Sequence, residues 1–270
     1  FGPYNGFQFW ARDPRLFDER QQLTFTYERL VRPRVEYGVV RAAANVEYLR
    51  EVHDRLRFGA ALTTFDDRFI EPLTDVTAQL PDPSRTTTVT GSVRFGRVAP
   101  VRLRDAGWQL ELKPSLSLST FAPQPVFASM FGELLAFRLI GESLHLAVRA
   151  QAGAMTDAQP QHRFHLGGLD MVRGYPDNFL RTTAFLMANV ELRWIAFDSM
   201  FLAVIPAAFV DGAVARPEPG GTWGLFSAGV GVRVIIPRLV RSGIRVDLAW
   251  PSTLPFNVGQ LLSIGVFQFF

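Results

Sequence analysis

The chain has 270 residues, of which 48% are hydrophobic and 20% charged, and its formal net charge is +3. Its mean hydropathy of +0.11 is high for a soluble domain of this size. No run of about 18 uncharged apolar residues is present, which excludes a transmembrane helix.

Two further features of the composition narrow the class of protein. The chain has no cysteine, which excludes disulfides and thiolate chemistry. The pI near 9.7 comes almost wholly from arginine, since Lys113 is the only lysine. The arginines are scattered along the chain without a basic cluster, so nucleic-acid binding is disfavoured.

The sequence opens at Phe1 with neither a methionine nor a signal peptide, and we expect a removed leader or a longer parent protein.

Apolar residues recur at every second position along most of the chain, which is the period of β-strands. Turn residues and prolines separate these segments, with a short turn predicted at residues 31–33 and loops at residues 66–84 and 155–181. The pattern predicts about thirteen strands, at residues 6–12, 21–30, 35–50, 55–65, 85–98, 107–120, 131–140, 143–154, 183–195, 200–213, 225–236, 243–250 and 260–270.

The clearest alternation lies in residues 107–120, although a soluble sandwich would also contain such a strand. One face carries apolar side chains (Trp108, Leu110, Leu112, Leu116 and Leu118). The opposite face carries polar ones (Gln109, Glu111, Lys113, Ser115, Ser117 and Ser119).

Aromatic residues near the ends of the apolar faces favour a membrane environment, because such residues form girdles at the two interfaces. They are Trp10, Tyr27, Trp108, Trp194 and Trp250. A soluble barrel would need an apolar interior, and with so many strands side chains could not fill it. The predicted fold class is therefore all-β, a transmembrane antiparallel up-and-down β-barrel that forms one domain over residues 1–270.

The longest predicted loop of the second half contains the glycine-punctuated run at residues 164–175. Its single arginine is Arg173, and Gly167, Gly168 and Gly174 supply the backbone freedom that a tight tip requires.

Two acidic residues on the strands that follow this loop are candidates for the inner wall of the barrel. Glu191 alternates with the apolar residues of its strand and is predicted to face inward, and Asp211 lies on the next strand. Neighbouring carboxylates repel each other unless a cation lies between them, and Arg173 could bridge both with its planar fork of donors. The alternative is that all three are ordinary lumen charges that are solvated separately.

These residues carry a resemblance to a known family. Four short motifs resemble the BamA/TamA-type bacterial surface antigen superfamily. They are Leu166-Gly167-Gly168, Val172-Arg173-Gly174-Tyr175, Asn189-Val190-Glu191 and Phe209-Val210-Asp211-Gly212-Ala213. The last motif departs from the family's F-x-D-x-G, since its final glycine is displaced by one position. The match covers residues 164–270 well and the first half only by its strand pattern.

The resemblance implies an outer-membrane barrel of the protein-assembly and two-partner-secretion machinery, with an in-folded loop in which Arg173 contacts Glu191 and Asp211. It also implies a terminal strand recognised for membrane insertion, here with Gly265, Phe267, Phe269 and Phe270, although Gln268 stands where an aromatic residue is usual. Family barrels have about sixteen strands after periplasmic domains, so we expect the first three or so strands and those domains to be absent from this chain.

The partners implied are outer-membrane lipids, a client polypeptide or outer-membrane protein, and accessory periplasmic or lipoprotein subunits. No cofactor is expected. His162 and His165 have a spacing that could suit a metal, but no third ligand lies near them in the sequence, so no metal site is predicted. Glu142, Ser143 and His145 crowd around a turn and do not resemble a hydrolase triad, so no catalytic residue and no enzyme activity are predicted.

Two other functions remain open from the residues alone. The barrel could be a passive pore that the loop merely narrows, or it could anchor an N-terminal passenger domain.

Overall fold

In a computed structural model of the chain, the structure describes residues 5–18, 20–33, 38–70, 83–101, 104–120, 126–156, 158–217, 220–236, 242–252 and 262–268.

Most of the described residues are in antiparallel strands, as the period-two pattern predicts. They form β1 (Asn5–Asp13), β2 (Gln21–Pro33), β3 (Gly38–His53), β4 (Leu56–Ile70), β5 (Ser84–Val101), β6 (Arg104–Thr120), β7 (Val126–Ile140), β8 (Leu144–Met155), β9 (Phe164–Leu166), β10 (Leu180–Trp194), β11 (Phe197–Asp198), β12 (Ala203–Pro217), β13 (Trp223–Ile236), β14 (Ser242–Pro251) and β15 (Leu262–Gln268).

The strands follow one another in an up-and-down order. Thirteen of the described strands form a continuous path in chain order from β1 to β15, while the short strands β9 and β11 pair with β10 and β12. Among the described residues, no pairing joins the first and last strands of this path. The fold class predicted from the sequence, an antiparallel up-and-down β-barrel fold, and its number of long strands are confirmed.

Two predicted breaks are wrong in their boundaries. The turn predicted at residues 31–33 belongs to β2, where Val31 pairs with Val40 and the proline stands only at the strand's last residue. The loop predicted at residues 66–84 begins too early, because β4 continues to Ile70. Asp67 lies opposite Arg41 and accepts hydrogen bonds of 2.7 and 2.8 Å from its guanidinium, so polar residues that suggest a turn are paired within the sheet.

Burial is inverted relative to a soluble protein. On β6 the side chains of Glu111 and Ser117 are 6% and 3% exposed, whereas the intervening Leu116 is 57% exposed. The same alternation on β10 buries Glu191 and exposes Leu186, Val190 and Leu192. An apolar outer face and a polar inner face are the pattern of a barrel that crosses a membrane. No helix in the described ranges is long and apolar enough to span a membrane.

The chain divides into two compact units. The first comprises residues 1–95, 111–131 and 154–163, and the second comprises residues 96–110, 132–153 and 164–270. The single domain predicted for residues 1–270, like the absence of earlier strands and periplasmic domains, stays a prediction.

Candidate functional site

The loop between β8 and β10 enters the second unit through β9, which pairs with the first residues of β10. Three glycines shape its tip. Gly167, Gly168 and Gly174 have φ values of 109°, 91° and 84°, a region that other residues rarely adopt. The backbone N–H of Gly168 donates to the carbonyl of Tyr175 at 3.0 Å and closes the tip.

The tip carries Arg173 into contact with the polar faces of two strands. The Nε and Nη2 groups of Arg173 donate to the two carboxylate oxygens of Asp211, each at 2.7 Å. Its Nη1 donates to Glu191 at 2.6 Å, and its backbone N–H donates to Asp211 at 3.1 Å. The structure thus brings together the three residues that the sequence singles out.

The register of the strands explains this geometry. Asp211 lies directly opposite Asn189, and Glu191 lies opposite Phe209, so the two acids are diagonal neighbours. A diagonal pair leaves room between the carboxylates for a guanidinium that reaches both. The guanidinium carbon also lies 3.3 Å from the centre of the Phe209 ring, which adds a cation–π contact.

Two neighbouring strands extend the cluster with residues that the sequence does not single out as site residues. Arg233 of β13 donates to Glu191 at 2.9 Å and to Asp247 of β14 at 2.6 Å. Asp247 also lies 3.4 Å from Arg173 and accepts a 2.7 Å hydrogen bond from Arg245. The alternation on residues 243–250 places Asp247 inside, but only the strand register shows which arginines it meets.

Four arginines and three carboxylates of the described residues therefore share this cluster (Arg173, Arg193, Arg233 and Arg245; Glu191, Asp211 and Asp247). Arg173 is 3% exposed and Asp211 is fully buried. Burial lowers the pKa of Arg173, but the hydrogen bonds and charges of Asp211 and Glu191 raise it, so its pKa lies above the usual arginine value. The guanidinium stays charged, and its burial is compensated by these partners.

Glycines on β13 provide the space for the cluster. A side chain at Gly229 would collide with the Phe209 ring, and one at Gly231 would collide with Asp247 and Arg233. Gly229 lies opposite Phe209 in the β12–β13 register, so the aromatic ring covers the glycine across the strands. The two glycines thus leave the space that the Phe209 ring and the ionic groups occupy.

The loop also touches the wall through residues other than Arg173. Asn189 donates to the carbonyl of Met171 at 2.6 Å, and Arg245 donates to that of Leu169 at 2.7 Å. The hydroxyl of Tyr175 donates to the carbonyl of Phe226 at 3.2 Å. At Gly265 of β15, an added Cβ would lie 2.7 Å from Leu169, so the tip also lies against the last strand of the path. Val172 and Tyr175 are buried in this interface.

The remaining predicted site residues lie on the terminal strand. Gly265 and Phe267 belong to β15, where Phe267 pairs with Gly243 and Gly265 with Arg245. Phe269 and Phe270 lie outside the described residues.

One cavity beside the loop is small. A cavity of about 170 Å³ lies beside the loop, lined by arginines (Arg149, Arg173, Arg193 and Arg245) together with apolar residues such as Phe137. This is below the size of ordinary small-molecule sites. Among the described residues, no group of three or more histidine or acidic side chains could hold a metal ion.

The solved structures that are similar to this chain include BamA and CdiB barrels. BamA from Haemophilus ducreyi lacking POTRA domains 1-3 aligns with a TM-score of 0.69 at 13% identity, over 97% of this chain and 62% of that one. CdiB from Acinetobacter baumannii aligns with a TM-score of 0.54 at 11% identity, over 98% of this chain and 56% of that one. No family model and no curated protein sequence matches the chain.

The fold is therefore that of the BamA- and CdiB-type barrels, which confirms at the level of fold the resemblance that the loop and strand motifs indicate. The chain spans 62% of the first structure and 56% of the second, so it corresponds to part of their length.

Proposed function

We propose that this chain is an outer-membrane β-barrel that inserts outer-membrane proteins or passes polypeptide across the outer membrane. The apolar outer faces would contact outer-membrane lipids, and the loop with Arg173 would be pinned inside the lumen. The client would be an outer-membrane protein or another polypeptide, and accessory periplasmic or lipoprotein subunits would assist. The fold shared with BamA and CdiB supports this proposal.

The observation that carries the proposal is the span of the loop's contacts. Arg173 joins β10 through Glu191, β12 through Asp211 and β14 through Asp247. Leu169, four residues earlier, lies against Gly265 of β15. A single loop is therefore in contact with several of the strands that lead to the β15 end of the sheet path.

This geometry supports a mechanism in which the loop sets the conformation of the last strands. An unpaired strand edge can accept a client strand by backbone hydrogen bonding. If the loop positions β15 through Leu169, docking of Arg173 at Asp211 and Glu191 would determine how that edge is presented. The barrel would act through binding and conformation, without catalytic residues.

The second candidate is a passive pore. The polar inner faces of β6 and β10, with Glu111 and Glu191 pointing inward, favour it. In a pore, the loop would narrow the channel without controlling an edge strand. A third reading, an anchor for an N-terminal passenger domain, depends on the parent protein.

The test compares Arg173→Ala with Arg85→Ala, which removes an exposed arginine of β5 that pairs with Asp66. Each chain is folded into lipid vesicles, and insertion or translocation of a client polypeptide is measured together with conductance across a planar bilayer. Client activity that is lost in Arg173→Ala and kept in Arg85→Ala supports the proposal. Large steady conductance without any client activity in the unmodified chain would favour the passive pore instead.

A further inference from the structure

The loop that carries Arg173 is also held at its beginning, within the first unit. A short 3₁₀ turn, Pro160–His162, is packed tightly, and Ala158 and Gln161 are 0% and 2% exposed. The turn is closed by a 2.9 Å hydrogen bond from the N–H of His162 to the carbonyl of Gln159. Arg163 folds back and donates from Nε to the carbonyl of Ala158 at 2.8 Å.

The side chain of His162 lies between two aromatic rings of the sheet. Its ring stacks on Phe127 of β7, with centres 5.0 Å apart and planes at 20°, and makes a T-shaped contact with Phe65 of β4 at 5.5 Å. Its Nε2 lies 3.3 Å from the hydroxyl of Thr86 on β5. Because that hydroxyl donates to Ser119 at 2.9 Å, its oxygen accepts from His162, which assigns the hydrogen to Nε2.

The wall that receives His162 repeats part of the Arg173 site. Phe65 and Asp67 on β4 are two residues apart, as are Phe209 and Asp211 on β12. On β4 the guanidinium that binds the aspartate through Nε and Nη2 and covers the ring at 4.2 Å belongs to Arg41. On β12 the same position is filled from the loop by Arg173.

This repetition explains why the loop makes two chemically different contacts. On β4 the carboxylate is already neutralised by Arg41, a residue of the wall, so a second arginine would bring an uncompensated charge. What remains for the loop is a T-shaped contact with Phe65, the face of Phe127 and the Thr86 hydroxyl. A planar ring with one N–H donor matches all three.

We propose that His162 is a second anchoring residue, which holds residues 158–163 against β4, β5 and β7 independently of the Arg173 cluster. The two anchors lie eleven positions apart in sequence and together fix both sides of residues 164–172. This inference concerns how the loop is held, so it does not depend on the proposed transport function.

The absence of native cysteine allows a direct test with single-cysteine reporters. Ala158→Cys reports on the His162 anchor and Val172→Cys on the Arg173 cluster, since both positions are fully buried. The rate of maleimide labelling is measured for each reporter in the folded, membrane-embedded chain. Each reporter is combined with His162→Ala, with Arg173→Ala, or with His53→Ala as a control at an exposed histidine of β3.

We expect His162→Ala to speed labelling at position 158 by about tenfold or more, because it removes a stacked ring and a hydrogen bond. Labelling at position 172 should then stay unchanged. Arg173→Ala should have the reverse effect, and His53→Ala should change neither rate. His162→Phe, which keeps the ring, should restore most of the protection at position 158.

Three results would overturn the inference. Equal acceleration at both positions in either variant would mean that the loop is released as one unit. Unchanged labelling at position 158 in His162→Ala would mean that the histidine does not hold the segment. Failure of His162→Ala to fold would also count against it, because the role assigned to His162 leaves the strand pairing intact.

Discussion

Replacing Asp211 with alanine should release the loop tip. The substitution removes three hydrogen bonds of Arg173 and leaves the contacts with Glu191 at 2.6 Å and Asp247 at 3.4 Å. The four arginines of the cluster would then share only two carboxylates, those of Glu191 and Asp247. Removal of one partner from a buried ion pair costs about 3–5 kcal/mol, because the other charge stays buried without compensation. We expect a loss of this size in the local stability of the loop.

Hydrogen exchange of the amides of residues 167–175 measures this local opening. About 3 kcal/mol corresponds to exchange that is more than about a hundredfold faster. The matched control is Asp66→Ala, which breaks an Arg–Asp pair of similar geometry, Arg85 to Asp66 at 2.7 Å, whose side chains are 63% and 46% exposed. Exposed pairs contribute little to stability, so this variant should leave the exchange of residues 167–175 unchanged.

Both variants replace an aspartate that pairs with an arginine, so the expected difference in loop exchange comes from the burial of the Asp211 pair. If Asp211→Ala and Asp66→Ala changed loop exchange equally, or if Asp211→Ala left it unchanged, the buried cluster would not be what holds the loop. Asp211→Asn keeps the shape and removes the charge, so an effect nearly as large as that of alanine would identify the charge as the dominant contribution.

Two further substitutions test the loop conformation and the lipid-facing surface. Gly174→Ala should lower the free energy of unfolding by about 2–3 kcal/mol, because a side chain at φ 84° is strained and would crowd Pro251 and Ala249 at 3.0 and 3.2 Å. Urea titration of both variants measures the two losses. Gly141→Ala, at φ 66° with open space around it, should cost only about 1 kcal/mol, so equal losses would contradict the packing argument. Leu112→Arg should reduce barrel stability in lipid vesicles by about 2–4 kcal/mol if its face meets lipid near the midplane, whereas Lys113→Arg on the opposite face should be tolerated. Similar stability of these two variants would contradict the assignment of faces.

The periodicity of the sequence accounts for most of the fold. Alternating side chains suffice to place Leu112 and Glu111 on opposite faces of their strand. The aromatic residues near the strand ends then favour the apolar face as the outer one. The predicted end of β4 is wrong because Asp66 and Asp67 suggest a loop when only their own strand is considered. Only the neighbouring strand shows that Arg41 pairs with Asp67.

The candidate site could be predicted less completely. Alternation places Glu191 and Asp211 on the inner wall, and the resemblance adds Arg173 as their partner. The participation of Arg233 and Asp247 depends on the register between strands, which no single strand specifies. The stacking of His162 on Phe127 joins residues 35 positions apart, so no local pattern reveals it.

We propose that the contact between Arg173 and Asp211 controls the activity of the barrel. The most direct measurement is the initial rate of client insertion or translocation in lipid vesicles for Arg173→Ala, Asp211→Ala and the double variant, each normalised to the folded fraction. Since both substitutions break the same contact, we expect each to lower the rate and the double variant to be no worse than either single one. Unchanged rates, or losses that multiply in the double variant, would show that this contact does not control the activity.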